Sequence, residues 1–371
     1  MKDIKQNITR DLIKAVLSDS IDFIGSYIPM PKATATVLFQ KFTKNPLEKF
    51  VDWKLKNWKE FYHQEKDFVF LQTHEDISVL PQILLIDNTD KKIKEEDILF
   101  QIEEKEFKIP PHIQDLTEKA FYEIKKELNY FNEENVKLKQ ITKKGNKIVL
   151  QVQPVIYEEF VKTNLLMDAE LDHKNTLRKQ LHSDGKLESL EDSPLANHLG
   201  INVLVFTANG SLVMTKRSEL VAFRRGELAP TISGTIAIED ITDGGSLQDM
   251  NKLREGFEEL GIPKKILDQS KLHFLGITRE LIRGGNPEIF FYVKTELTEM
   301  DFKTGWETAK DKWENRDLIF FPFGSFGRNA QKNEKKNKKE LHERISAFMK
   351  LHENNASLPL LTNIALWEKS E

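Results

Sequence analysis

Two apolar runs separated by Ala208-Asn209-Gly210 constrain this chain more than any other feature. Ile201-Asn202-Val203-Leu204-Val205-Phe206 and Ser211-Leu212-Val213-Met214 read as strands. Asn-Gly between them is the dipeptide that most readily adopts the positive φ angles of a tight hairpin turn. The C-terminal half is therefore expected to build a sheet. Further strands are expected over residues 271–278 and 288–294, and residues 340–352 carry Leu341, Ile345, Phe348, Met349 and Leu351 in a final helix.

The first part of the chain follows a different period. Leu12, Ile13, Val16, Leu17, Phe23, Ile24, Tyr27 and Ile28 recur at helical spacing, and Pro29 and Pro31 end that stretch. Two more helical stretches follow, the second with Phe50, Val51, Trp53, Leu55, Trp58 and Phe61. Residues 1–66 read as a helical region, either a helical hairpin or small bundle, or an element for homo-oligomer assembly or a membrane surface. Residues 67–165 switch to short apolar runs at 68–71, 83–86, 98–102 and 148–155, with a hairpin turn at Lys143-Lys144-Gly145-Asn146 and one helix over 113–128. This is expected to be a small accessory α/β module. Residues 172–193 are polar and read as a loop, and residues 328–344 as a solvated charge run leading into the final helix.

Composition narrows the function classes. The 371 residues carry a net charge of −4 and no cysteine. Disulfides, thiolate zinc sites and cysteine nucleophiles are excluded, and nothing suggests a nucleic-acid surface. No stretch long enough to span a bilayer is free of charge, and the N-terminus lacks the apolar core of a signal peptide, so a cytoplasmic protein is expected.

The chemistry concentrates in Arg254-Glu255-Gly256-Phe257-Glu258-Glu259-Leu260-Gly261-Ile262. On a helix, Glu255, Glu258 and Glu259 share one face at i, i+3 and i+4, where like charges repel unless something neutralises them. A hard divalent cation is the natural neutraliser. Gly261 can cap the helix, so the carboxylates crowd its C-terminal end, which the helix dipole disfavours. An acidic solvated helix face is the bland alternative.

This segment resembles the C-terminal half of the Nudix box, G-x5-E-x7-R-E-U-x-E-E-x-G-U, with U aliphatic. It matches at R-E, E-E, G and the last U, and departs at Gly256, where an aliphatic residue should stand. At strict spacing the box glycine falls on Asp240 and the box glutamate on Ser246. A looser alignment takes Gly234 as the box glycine and Asp240 in place of the glutamate, with a six-residue insertion before Arg254. Pro230-Thr231-Ile232-Ser233-Gly234, resembling the strand that enters the box, favours the looser one. Leu212–Ser218 is similar to the family's second strand, and the resemblance covers about residues 195–325.

The resemblance implies an α+β chain whose residues 166–371 form a Nudix α/β/α sandwich with a mixed sheet. It implies Mg²⁺ or Mn²⁺ on Glu255 and Glu259, with Glu258 a further ligand or the group that orients water. Arg254 would be structural, holding Asp240, with Gly234 and Gly261 shaping the backbone. Glu280, Glu288 or Glu314 would supply a further base; Glu280 and Glu288 are preferred because they flank Gly284-Gly285. Lys216, Arg217, Arg224, Arg225, Arg279 and Arg283 are cations within reach of a phosphate, although a salt bridge is the bland reading of any one arginine. The implied activity is metal-dependent hydrolysis of a phosphoanhydride in a nucleoside diphosphate derivative. The rival is a degenerate domain that senses a nucleotide without cleaving it. An isopentenyl diphosphate isomerase-like reaction is disfavoured, because its cysteine is absent. His182, His198, Phe223 and Trp306 read as packing residues.

Overall fold

The computed structural model describes residues 57–125, 132–171, 175–218, 221, 224–250, 259–262, 271–310, 312–324 and 334–371. Two compact units divide the chain, Met1–Glu48 and Lys49–Glu371, and all the described residues belong to the second. The helical region expected over residues 1–66, with its assembly role, lies outside them except for residues 57–66. There a single helical turn, α1 (Trp58–Phe61), leads into strand β1.

Strands β1 (Phe68–Gln72), β2 (Ile77–Asp87), β6 (Gly200–Phe206), β7 (Ser211–Arg217), β10 (His273–Glu280), β11 (Asn286–Lys294) and β12 (Asn315–Pro322) form one sheet in the order β1-β2-β10-β11-β6-β7-β12. The short strands β8 (Leu228–Ala229) and β9 (Ile232–Thr235) lie beside β7 and β6. The β11–β6 pairing is parallel and the other pairings are antiparallel, so the sheet is mixed. A second sheet, β3 (Ile98–Ile102), β5 (Lys147–Ile156) and β4 (Glu134–Lys144), closes through the expected hairpin, with Gly145 at φ 65°.

Both faces of the large sheet are buried, so its central strands are near-continuous apolar runs. On β6, Ile201, Val203 and Val205 face one layer and Leu204 and Phe206 the other. The first layer holds the small sheet's Ile98, Phe100, Val136, Leu138 and Leu150, together with Leu260, Ile262 and Phe302. The second holds Leu341, Ile345 and Phe348 of α6 (Glu334–His352) and Leu360, Ile364 and Trp367 of α7 (Leu358–Ser370). The fold is α+β, as expected.

Several elements differ from the sequence reading. The large sheet takes β1 and β2 from the stretch expected to form the accessory module, so residues 67–165 divide between two sheets. β12, α7 and α5 (Glu299–Glu307) were not anticipated, and the expected loop over 172–193 contains a helix, α4 (Leu177–Leu181). Helices α2 (Pro111–Lys125) and α3 (Tyr157–Lys162) complete the described helices. No helix among the described residues is long and apolar enough to cross a membrane.

Candidate functional site

The strand ends that carry the candidate residues meet at one end of the large sheet. Gly200, which opens β6, pairs with Thr235 at the close of β9 and with Glu288 on β11. Glu288 pairs in turn with Thr278 on β10, and Glu280 pairs with Gln82 on β2. Because β7 runs antiparallel to β6, its last residue, Arg217, lies at this same end, opposite Asn315. β6 and β7 pair only at Val205–Val213 and Phe206–Leu212 and then diverge. Thr231 bridges the divergence: Val205 N donates to its Oγ1 at 2.9 Å, and that hydroxyl donates to Val213 O.

A buried charge cluster sits on the β2–β10–β11 side. Glu280 Oε1 accepts from Arg224 Nη2 at 2.6 Å, and Oε2 accepts from Arg283 Nε and Nη2 at 3.0 and 2.6 Å. The same Arg283 Nη2 reaches Glu288 Oε1 at 2.5 Å, while Glu288 Oε2 accepts from Gln82 Nε2 at 3.0 Å. Thr278 Oγ1 donates to Gln82 Oε1 at 2.6 Å, which supports the amide with its NH₂ towards Glu288. The two carboxyls share surroundings but not proton affinity. Burial would raise Glu280, yet the Arg224 and Arg283 guanidinium groups outweigh it and hold the carboxyl below its ordinary range. Burial raises Glu288 too, and there Arg283 does not compensate, because the neighbouring Glu280 charge adds to the rise.

The β10–β11 turn that carries Arg283 is held from behind. Arg178 pairs with both oxygens of Asp168 at 2.6 and 2.8 Å and donates to Leu281 O and Ile282 O at 2.7 and 2.5 Å. It also donates to Tyr62 Oη at 2.7 Å, and that hydroxyl meets His182 Nδ1 at 2.8 Å. Burial pushes the Tyr62 phenol up to about 12. Asn164 Nδ2 donates to Arg283 O at 2.9 Å. Gly284 has φ 63°, and a Cβ there would meet Met167 Sδ at 2.8 Å, so only glycine fits this turn.

On the other side of the site, the segment of the expected box is partly described. Arg254, Glu255 and Glu258 lie outside the described residues. Glu259 and Leu260 are helical, and Gly261 follows at φ 64°, the conformation of a helix C-cap. Glu259 is buried, and its Oε2 accepts from Asn315 Nδ2 at 2.7 Å. A buried carboxylate held by a neutral amide is a hard oxygen donor of the kind that Mg²⁺ or Mn²⁺ takes, so Glu259 fits the expected ligand role. No group of three or more histidines and carboxylates suited to a metal occurs among the described residues, which include only one of the three expected ligands.

The loop over residues 244–247 runs along the edge strand β3 of the small sheet, bridged to it at Leu99 and Ser246. Phe100 N donates to Gly245 O at 2.9 Å, Gly244 N to Phe100 O at 2.9 Å and Leu247 N to Ile98 O at 2.7 Å. β4 supports the strand entering the box-like segment, with Val136 N on Ile236 O at 3.1 Å and Leu199 N on Val136 O at 2.9 Å. Asp240 ends a 3₁₀ turn, Ile238–Asp240, and its carboxylate accepts from Ala237 N at 3.3 Å. Gly234 pairs with Ile201, and its carbonyl borders Gly200 beside Glu288.

The remaining candidates disperse. Arg279 is buried on carbonyls, donating to Gly285 O at 2.8 Å and Glu188 O at 2.5 Å, and burial lowers it to about 10. Arg225 Nε donates to Val221 O at 2.8 Å. Arg217 and Lys216 are half-buried at the end of β7, and Glu314 lies in a 3₁₀ turn whose carbonyl accepts from Ser218 N at 2.8 Å. Trp306 packs against the core under Lys312 Nζ, 4.4 Å from the ring. His198 stacks on Phe160 with ring centroids 4.6 Å apart. Both His182 and His198 are buried packing residues, and Phe223 lies outside the described residues. Sequence reading did not single out Gln82, Thr278, Asn315 or Arg178. The one local signal for Gln82 is a polar amide inside the apolar run of β2.

No family model matches the chain, and no curated protein matches it. Among solved structures, the chain is similar to DR0079 from Deinococcus radiodurans at 13% identity and a TM-score of 0.26, over 43% of this chain and 82% of that one. A likeness of that size carries no argument about this chain.

Proposed function

We propose that this protein is a Nudix-type, metal-dependent hydrolase that cleaves a phosphoanhydride in a nucleoside diphosphate linked to another moiety. The observation that carries the reading is a shared position along the strands. The strand leading into the box-like segment, the buried Glu259 and the Glu280–Arg283–Glu288 cluster share one end of a mixed sheet. Glu255 and Glu259, with Glu258, would hold Mg²⁺ or Mn²⁺, which when bound lowers the pKa of water and neutralises charge on the diphosphate. Asn315 fixes the Glu259 carboxylate. Of the two candidate bases, Glu288 suits proton exchange, because Glu280 has both oxygens on guanidinium groups and stays ionised. Arg217 and Arg225, on the β7–β8 side, would supply cations for the phosphate. Arg224 and Arg283 serve first as counter-ions to the buried carboxylates.

The rival reading, a nucleotide sensor without turnover, draws on Gly256 and on the altered first half of the box. A panel of nucleotide sugars, ADP-ribose, NAD and dinucleoside polyphosphates, incubated with and without Mg²⁺ or Mn²⁺, separates the two. Metal-dependent hydrolysis that falls at least 100-fold in Glu259→Gln is the expected outcome, about 2.7 kcal/mol of transition-state stabilisation. Hydrolysis that Glu259→Gln leaves intact sinks the mechanism, and metal-independent binding with no turnover selects the sensor.

A further inference from the structure

We propose that Gln82, contributed by β2 from outside the box-bearing region, is the positioning residue for Glu288, and that it makes Glu288 rather than Glu280 the proton-exchanging carboxyl of this site. The proposal rests on the hydrolase reading for its catalytic half only.

Gln82 is fully buried and opposes Glu280 in the β2–β10 register, yet its amide turns to Glu288, with Nε2 3.0 Å from Oε2. An ionised carboxylate only accepts, so it takes the amide NH₂, and Thr278, itself fully buried, supports that orientation by donating its hydroxyl to Gln82 Oε1. The other groups facing Glu288 are Arg283 from the β10–β11 turn, Glu280 from β10 and, farther off, Arg224 from the β7–β8 loop. The backbone of Gly200 lies alongside Glu288: a Cβ there would come within 3.3 Å of Glu288 Cγ and 3.7 Å of its Oε1. Arg283 is shared, so the one hydrogen bond that Glu288 holds for itself comes from Gln82. An amide N–H favours the ionised carboxylate without adding charge. It therefore tempers the rise that burial and Glu280 impose and leaves the carboxyl poised to take and return a proton, whereas the doubly clamped Glu280 cannot.

The test follows the Glu288 carboxyl directly. In full-length protein labelled with δ-¹³C glutamate, the Glu288 resonance is assigned by its loss in Glu288→Gln and titrated without substrate. Gln82→Leu and the milder Thr278→Val should each move its titration to higher pH, by about one unit for the leucine variant. The acidic limb of kcat/KM should move by the same amount while KM stays within twofold. If Gln82→Leu does not fold, Thr278→Val, which keeps the amide but frees its orientation, carries the test. A Glu288 titration unmoved by either variant overturns the proposal, as does a titrating group that proves to be Glu280. A wild-type protein that hydrolyses nothing, but whose Glu288 titration responds, sinks the hydrolase reading and upholds Gln82 as the residue that sets the proton affinity of Glu288.

Discussion

Gly261 shows how one residue can answer to two constraints of different range. Locally it ends a helix at φ 64°, which the sequence pattern anticipates. At long range its backbone touches α5, where a Cβ would stand 2.2 Å from Gly305 O. Gly261→Ala should therefore destabilise the protein by about 1–3 kcal/mol from backbone strain alone, and further through displacement of α5. Urea unfolding measures it; a loss under about 0.5 kcal/mol would refute the close approach. The same scale explains why the site was only half legible. Glutamates at i, i+3 and i+4 announce themselves in any helical stretch. Gln82, Thr278 and Asn315 carry no such pattern, because each matters only through a partner tens to hundreds of residues away.

At the scale of elements, the hairpins and α6 were legible and the rest of the covering layers was not. β6 with β7, and β4 with β5, follow from apolar runs around turn dipeptides. α7 was overlooked although its start is well marked: Ser357 caps it, accepting from Leu360 N at 3.4 Å, and Pro359 sits in the first turn. Its residues are buried almost all round, so the amphipathic stripe that identifies a surface helix is missing. Ser357→Ala should cost about 1 kcal/mol. Because α7 packs across several strands of the large sheet, that loss should appear in global unfolding, seen as a lower midpoint in urea with an unchanged slope. A separate early transition confined to helix signal would contradict this. β12 escaped notice for a related reason: Asn315, Arg316 and Asp317 open it, and its strand character comes from pairing with β7.

For the whole molecule, buried titratable groups predict how stability varies with pH. Burial pushes His198 down to about 3 from 6.5 and Lys137 down to about 7 from 10.5. Both are neutral in the fold over a range where the unfolded chain binds a proton, so the fold is favoured as pH rises. The His198 contribution is complete above pH 6.5 and drains away as pH falls towards 3. The Lys137 contribution grows from pH 7 to 10.5. Each changes stability by roughly 1.4 kcal/mol per pH unit within its window. Urea midpoints measured from pH 4 to 9 should fall on acidification, with His198→Phe flattening the slope below 6.5 and Lys137→Met flattening it above 7. Parallel curves for wild type and variants would rule these groups out as the source. Lys137 belongs to the small sheet and donates to Ser193 O at 3.1 Å and to Leu195 O, so its titration also probes how β4 holds the loop before β6.

By itself the sequence determined the α+β class, the hairpins and the acidic segment at 254–262, since these depend on period, turn chemistry and spacing along a few consecutive residues. Only the tertiary structure decided that residues 67–165 serve the site. Their first strands extend the large sheet and deliver Gln82, and β3 gives the loop over residues 244–247 an edge to pair with. It also decided which of two equivalent-looking glutamates is locked and which is poised. That difference lies in how many guanidinium groups reach each carboxyl, a count that no local stretch of sequence contains.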